Sequence, residues 1–329
     1  MEQKVSGHKR ETLSIVIPAY NEEGNIAPTA AAVGEIMSGA GISAAIYFVD
    51  DGSTDGTWAE IEKAARANGH VNGIRFSRNF GKEAAIFAGL NAARGECCAV
   101  MDCDLQHPPK SLVEMYLLWE EGYEVIEGLK ADRGKESLFY KGMAALFYKI
   151  IGSVTKMDMS RSSDFKLLDR KVVDALVSLP EHNTFFRALS SWAGFKTAYV
   201  EYDVQERTIG YSKWSTVSLF KYAVNNIISF STAPLHFVTL LGVVFLILSL
   251  VQGIESFVTY ITHRAEAGFT TVIFIELIIG SIVMISLGII GGYVGKIYEE
   301  VKGRHRFLIT KTVGDSFETA KRGGGNDPL

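Results

Sequence analysis

Asp102 and Asp104 have the side chains and spacing most suited to chemistry in this chain. They lie one residue apart where the apolar run Cys97-Cys98-Ala99-Val100-Met101 gives way to Cys103, Leu105, Gln106 and a Pro108-Pro109 stop. The run reads as a buried parallel strand, and ligands of open α/β sheets sit in the crevice beyond the strands' carboxyl ends. Clustered carboxylates repel unless a cation neutralises them, and hard oxygen donors suit Mg2+ or Mn2+. Gln106 can add a carbonyl oxygen to the same ion. A lone Asp-x-Asp is also a common solvated turn, so its meaning depends on what surrounds it. A second acid pair, Asp50-Asp51, closes the apolar run Ala45-Ile46-Tyr47-Phe48-Val49 in the same way. Both strands thus deliver acids to one crevice.

The elements that must position these acids alternate along the chain. Leu13 to Pro18 reads as a first strand, followed by an Ala-rich helix to about Met37. The Asp50 strand leads to a helix through about Asn68, capped by Thr57 or Asp55. Gly73 to Ser77 is a third strand, and Asn79-Phe80-Gly81-Lys82 opens a helix to Ala93. After the Asp102 strand come a helix to about Glu121, a strand over 124–128 and a short strand over 164–168. Helices follow from Asp169 and from Phe185 to Trp192. Such alternation predicts parallel βαβ units, an α/β fold with a doubly wound sheet. There is no Gly-x-Gly-x-x-Gly, and Gly81-Lys82 lacks P-loop spacing, so dinucleotide and ATPase readings have little support.

The chain has 329 residues, 47% of them hydrophobic, and a net charge of −4, which does not suggest a nucleic-acid partner. Its three cysteines, Cys97, Cys98 and Cys103, all fall at one strand and its exit, so no disulfide framework is expected and a reducing compartment is. Met1 to Arg10 is polar, with no secretory signal pattern. Residues 137–156 and 217–230 pattern as basic amphipathic helices of a membrane surface. Leu235 to Ile261 and Phe269 to Val294 each exceed the roughly 20 apolar residues that cross a bilayer. Lys296, Lys302, Arg304, His305 and Arg306 follow the second span, which places the large domain and both termini in the cytoplasm. Glu276, inside that span, is expected at a helix or subunit contact, and the chain from Gly314 is expected to be disordered. The expected layout is a catalytic domain over 1–214, an interfacial helix over 215–233, spans over 234–262 and 269–295, and a tail over 296–329.

Four segments carry a resemblance. Ile17-Pro18-Ala19-Tyr20-Asn21-Glu22, Val49 to Asp55, Asn79 to Lys82 and Met101 to Pro109 stand in the order and spacing of family 2 inverting glycosyltransferases. Asp164-Phe165-Lys166-Leu167, Phe186-Arg187, the Arg207 to Lys213 hook and the paired spans resemble the polyprenyl-phosphate branch, which includes dolichyl-phosphate mannose synthase and bactoprenol glucosyltransferases. Cys103 and His182 depart from the common residues of that branch. The resemblance implies a GT-A fold (Rossmann-like, with a mostly parallel sheet) and transfer of a sugar from a nucleotide donor to a polyprenyl phosphate at the plasma membrane. It places Pro18, Tyr20, Glu22, Asp50, Asp51 and Lys82 around the nucleotide, with Asp102 facing its ribose and diphosphate. Asp104 and Gln106, with Asp102, would hold Mg2+ or Mn2+. UDP-glucose is the expected donor and a homo-oligomer the expected assembly.

A lipid phosphate is already anionic near neutral pH, so it needs guidance more than deprotonation. Arg133, Lys135, Arg207, Ser212 and Lys213 are the expected clamp. By the resemblance Asp164 is the candidate for a base or acceptor-side carboxylate, the alternative being a group that orients Lys213 or a sugar hydroxyl. Two rivals share parts of this pattern. A processive polysaccharide synthase would carry Gln-x-x-Arg-Trp and more spans, and a non-enzymatic lipid-binding scaffold would not need Asp50, Asp51, Asp102, Asp104 and Arg207 together.

Overall fold

The computed structural model describes residues 11–130, 163–181, 186–203, 233–262 and 269–315, and elements are numbered over those residues. Arg133, Lys135, Arg207, Ser212 and Lys213 lie outside them, as do both stretches read as interfacial helices and the chain beyond Asp315. Two compact units result, one of Met1–Lys213 with Arg304–Leu329, the other of Trp214–Gly303.

The first unit is built on an eight-stranded sheet in the order β7-β5-β6-β4-β1-β2-β3-β8. The strands are β1 (Leu13–Ala19), β2 (Ala44–Asp50), β3 (Val71–Phe76), β4 (Cys97–Val100), β5 (Val125–Lys130), β6 (Lys166–Asp169), β7 (Thr197–Tyr202) and β8 (Ile309–Val313). β1 runs parallel to β2 and β4, β2 to β3, and β5 to β7. β6 is antiparallel to β4 and β5, and β8 is antiparallel to β3. The helices are α1 (Glu23–Gly39), α2 (Thr57–Ala67), α3 (Lys82–Ala92), α4 (Pro109–Glu120), α5 (Arg170–Val177) and α6 (Phe186–Trp192).

Alternation along the strands feeds two cores, as a sheet covered on both faces requires. Leu13, Ile15 and Ile17 pack with Ile26 and Val33 of α1, Trp58 and Ile61 of α2, and Leu112 and Met115 of α4. Val16, Tyr47 and Val49 pack on the other face with Ile86 and Leu90 of α3, Val172 and Leu176 of α5, and Phe186 of α6. Fully burying each of these aliphatic side chains contributes about 1.5–3 kcal/mol. Gly89 of α3 lies so close to β1 that a Cβ there would fall 2.2 Å from Val16 Cγ1. That contact fixes the depth at which α3, and so Lys82 at its start, docks on the sheet.

Two strands were not expected. β7 alternates partly or fully buried Ala198, Val200 and Tyr202 with exposed Thr197, Tyr199 and Glu201. β8 falls in the stretch read as a tail, where Thr310 Oγ1 donates to the Arg75 carbonyl, Phe307 stacks on Phe76 at 5.1 Å, and Arg306 lies over the Phe87 ring.

The second unit contributes α7 (Ala233–Ile261) and α8 (Phe269–Val301), the latter running past the expected end at 295. Pro234–Glu255 and Ile278–Val301 are long and apolar enough to cross a membrane, and neither window is buried by the protein. Apolar surface of that extent marks a membrane or protein contact. Glu276 is exposed on α8.

Candidate active site

The loops after β1 and β2 are laced together by side chains. Asn21 and Glu22 donate their backbone N–H groups to Ser53 Oγ and Thr57 Oγ1, both at 2.9 Å, while Asn21 Oδ1 accepts from Thr54 N. Asp55 Oδ1 accepts from Thr57 N at 3.1 Å, but Gly56 holds the cap position of α2 and no side chain caps the helix, so neither Thr57 nor Asp55 is the cap expected. Gly52, at φ +67°, is where this lacing meets the loop after β3, since a Cβ there would lie 2.3 Å from the Arg78 backbone. Asn21, at φ +54°, is one of the non-glycine residues in the left-handed region, which an Asn tolerates well.

Of the residues expected around the nucleotide, Tyr20 is exposed and Pro18 and Glu22 are half-buried, with Glu22 Oε2 accepting from Asn25 Nδ2 at 2.6 Å. Asp50 is wholly buried: its Oδ1 accepts from Ser53 N at 2.8 Å, and its Oδ2 lies 3.3 Å from Arg75 Nε without forming a hydrogen bond. Asp51 accepts from Phe80 N at 2.6 Å and Gly81 N at 2.9 Å. Burial raises the Asp51 pKa against the pull of those two N–H groups. Asp50 and Asp51 therefore hold the backbone of the loops after β2 and β3.

The acids expected at the reaction centre are placed differently. Asp102 Oδ1 lies 2.5 Å from Lys82 Nζ, and the same ammonium lies 2.9 Å from Asp164 Oδ2. Arg187 grips the other side of Asp164 with both ends of its fork, Nε to Oδ1 at 2.6 Å and a terminal nitrogen to Oδ2 at 2.9 Å. Arg187, Asp164, Lys82 and Asp102 thus form one chain of alternating charge across α6, the start of β6, α3 and the end of β4. Burial pushes the Asp164 carboxyl upward, but Lys82 and Arg187 outweigh it and hold the group far below the usual carboxylate range. Asp102 is lowered in the same way, burial being outweighed by Lys82. On the lysine the two acids overcome burial and raise the pKa above the usual value.

The loop that carries Asp104 is braced from within. Gln106 N donates to Asp104 Oδ1 at 3.1 Å, and Leu105 sits at φ +57°, a left-handed conformation costing about 1–3 kcal/mol outside glycine. His107 Nδ1 accepts from Asp102 N at 3.2 Å while its ring stacks on Phe165 at 4.6 Å. Burial lowers the His107 pKa, so the ring is a neutral acceptor. Among the described residues no group of three or more His, Cys, Asp or Glu could hold a metal ion. Asp102 and Asp104 nonetheless suit Mg2+ or Mn2+, which bind through one or two carboxylates and complete their shell with substrate phosphates and water.

Sequence reasoning assigned no role to Arg187, His107 or Glu83. Glu83 Oε2 accepts from Phe186 N at 2.8 Å, which sets the start of α6 and the Arg187 that follows. Burial and the neighbouring Asp164 raise the Glu83 pKa to about 7. Behind the site Lys166 and Glu127, paired across β5 and β6, form a buried ion pair at 2.8 Å. Glu127 Oε2 also accepts from Ser163 N, beside Asp164.

Comparisons with known proteins show the family of the chain. Residues 14–177 match the model of Glycosyl transferase family 2. A bactoprenol glucosyl transferase of Shigella phage SfII is 33% identical over 91% of this chain and 98% of its own. An uncharacterized glycosyltransferase of Synechocystis is 37% identical over 91% of this chain and 94% of its own. The chain belongs to glycosyl transferase family 2. Its mostly parallel sheet, with β6 reversed beside β4, is of the GT-A type expected from the sequence. Among solved structures, glucosyl-3-phosphoglycerate synthase of M. tuberculosis is 20% identical, with a TM-score of 0.48 over 68% of this chain and 81% of that one.

Proposed function

We propose that this glycosyltransferase moves a sugar, glucose from UDP-glucose, onto a polyprenyl phosphate at the cytoplasmic face of the plasma membrane, with inversion at the sugar's anomeric carbon. The observation that carries this reading is the combination, in one family 2 chain, of the Asp102–Lys82–Asp164–Arg187 rim with two helices whose apolar surface the protein leaves unburied. Relatives named as bactoprenol glucosyl transferases support the lipid acceptor and the glucosyl donor.

In the reaction an oxygen of the acceptor phosphate forms a bond to the anomeric carbon from the face opposite the nucleotide. The bond from that carbon to the diphosphate oxygen breaks, and its electron pair leaves with the nucleotide. A divalent cation held by Asp102 and Asp104, with Gln106 beside them, would stabilise that departing charge. The attacking oxygen is anionic already, so no proton has to be removed from it. Asp164, ionised between Lys82 and Arg187, is a poor base and serves to set those two cations over the crevice. Tyr20, Pro18 and Glu22 would line the nucleoside end, with Asp50 and Asp51 supporting the wall. Arg133, Lys135, Arg207, Ser212 and Lys213 would receive the lipid phosphate.

The long acceptor cannot leave the bilayer, because each exposed CH₂ costs about 0.8 kcal/mol. The enzyme has to reach the lipid, and α7 and α8 as a membrane hairpin would keep it there. The pairing of β8 with β3 supports an even number of crossings, because the chain leaves the catalytic sheet before α7 and rejoins it after α8. Membranes bearing the full chain, given labelled UDP-glucose and undecaprenyl phosphate, should accumulate label in an organic-extractable lipid. Arg207→Ala should raise the KM for lipid about tenfold and leave that for the nucleotide sugar unchanged. Equal loss for both substrates would contradict the clamp, and label in a polymer would contradict the single transfer.

A further inference from the structure

We infer that Lys82 makes divalent-cation binding depend on the nucleotide diphosphate: its ammonium holds the Asp102 carboxylate against a bare metal ion and moves to the phosphates when the donor arrives. The inference rests on the proposed metal-assisted transfer and adds the order in which that site fills.

The geometry begins with Asp51. Its two oxygens take the N–H groups of Phe80 and Gly81, and Gly81, at φ +103°, turns the chain directly into α3. Lys82 is the first residue of that helix, so its Cα is fixed at the crevice by a neighbouring acid. From there the ammonium reaches Asp102 at 2.5 Å and Asp164 at 2.9 Å, with 41% of the side chain still exposed. Lysine suits such a post, being a compact charge on a flexible four-carbon stem, where arginine's planar fork holds a single geometry. Asp164 does not need Lys82 to stay in place, because Arg187 grips both of its oxygens. The ammonium can therefore swing away and leave the rest of the chain of charges intact.

The electrostatics then favour an order. The described residues offer a metal no cluster of three or more acids or imidazoles, so an ion arriving alone depends on Asp102 and Asp104. At Asp102 it meets an oxygen already neutralised by the ammonium, and a doubly charged ion beside that ammonium is repelled. A diphosphate removes both obstacles. Its oxygens give the ammonium's three donors a new partner and supply the ligands the metal lacks. Coupling of this kind is reciprocal, so metal must tighten the nucleotide as much as the nucleotide tightens metal. An order of this sort would keep the acids from holding a metal that has no leaving group to stabilise.

The test is a titration of the detergent-purified full chain with Mn2+, reading free Mn2+ by electron paramagnetic resonance, with and without saturating UDP or GDP. The wild-type protein should bind Mn2+ alone at least about tenfold more weakly than with the nucleotide. Lys82→Gln should bind Mn2+ alone about tenfold more tightly than wild type and lose most of the nucleotide's enhancement. Lys82→Arg, which keeps the charge, should leave binding of Mn2+ alone weak, and Lys82→Met repeats the neutral substitution should the glutamine variant not fold. If Lys82→Gln and Lys82→Met leave binding of Mn2+ alone unchanged while the nucleotide still tightens it, Lys82 does not guard the site, although the metal-assisted reaction stands. If no variant binds Mn2+ with or without nucleotide, the metal reading itself is overturned, and the guarding role of Lys82 falls with it.

Discussion

At the end of β2, Asp51 turns both carboxylate oxygens to the backbone N–H groups of Phe80 and Gly81, and Asp50 accepts from Ser53 N with its other oxygen 3.3 Å from Arg75 Nε. At β4 and the start of β6, Asp102 and Asp164 face the side-chain cations Lys82 and Arg187 instead. All four acids stand at or near the carboxyl rim of one sheet. The partner decides the use: a backbone N–H cannot leave, so the N–H groups on Asp50 and Asp51 fix loops, whereas a lysine can move, so Asp102 can exchange one cation for another. The two pairs are also joined, because the turn that Asp51 holds is the one that launches Lys82.

If that division is right, substitutions in the two pairs should fail in different assays. Asp164→Asn, which leaves Lys82 and Arg187 facing each other without a shared anion, should lower kcat about a hundredfold, with the thermal midpoint moving far less than the rate. A full loss of folding with no separable effect on rate would place Asp164 with the structural acids. Asp51→Ala leaves the N–H groups of Phe80 and Gly81 unmet, each costing about 1–3 kcal/mol if it stays dry. Its main signature should be a lowered unfolding midpoint, and unchanged stability with lost activity would move Asp51 to the chemical side.

Glu83 gives the smallest effect and a sign that can be checked. Its folded-state pKa of about 7 lies above the ordinary value of 4.5, so the native protein binds more protons in that window. The stability due to the protonated carboxyl is present below about pH 4.5 and is lost as pH rises through about 7. Glu83→Gln removes that dependence. Its thermal midpoint relative to wild type should therefore rise between pH 4.5 and 7, and a flat difference would show that Glu83 titrates normally.

Much of the fold and part of the site could be read from residue order. The apolar runs ending at Pro18, Asp50 and Met101 mark β1, β2 and β4 because buried parallel strands need continuous hydrophobicity. The acids at their ends fall in the crevice for the same topological reason. β7 was missed: Ala198, Val200 and Tyr202 alternate with Thr197, Tyr199 and Glu201, but its parallel partner β5 lies some seventy residues earlier in the chain. β8 was harder: Ile309-Thr310-Lys311-Thr312-Val313 is a weak edge-strand pattern after two apolar helices, and only its pairing with β3 shows that the chain returns. Arg187 and Glu83 could not be found by spacing, because they meet Asp164 and Phe186 only when α3 and α6 pack on the same face of the sheet. The Glu127–Lys166 pair shows the same limit, being opposite residues of antiparallel strands that lie 39 positions apart.

The central claim is that acids at the end of β4 act on the leaving diphosphate through a divalent cation. It is tested most directly in membranes stripped by chelator, then given labelled UDP-glucose, undecaprenyl phosphate and graded Mn2+, with wild type beside Asp104→Asn. Wild-type transfer should vanish on stripping and return with Mn2+, while Asp104→Asn, folded and membrane-bound, should stay at least about a thousandfold lower at every concentration. Transfer that survives chelation, or an asparagine variant that matches wild type, would contradict the account.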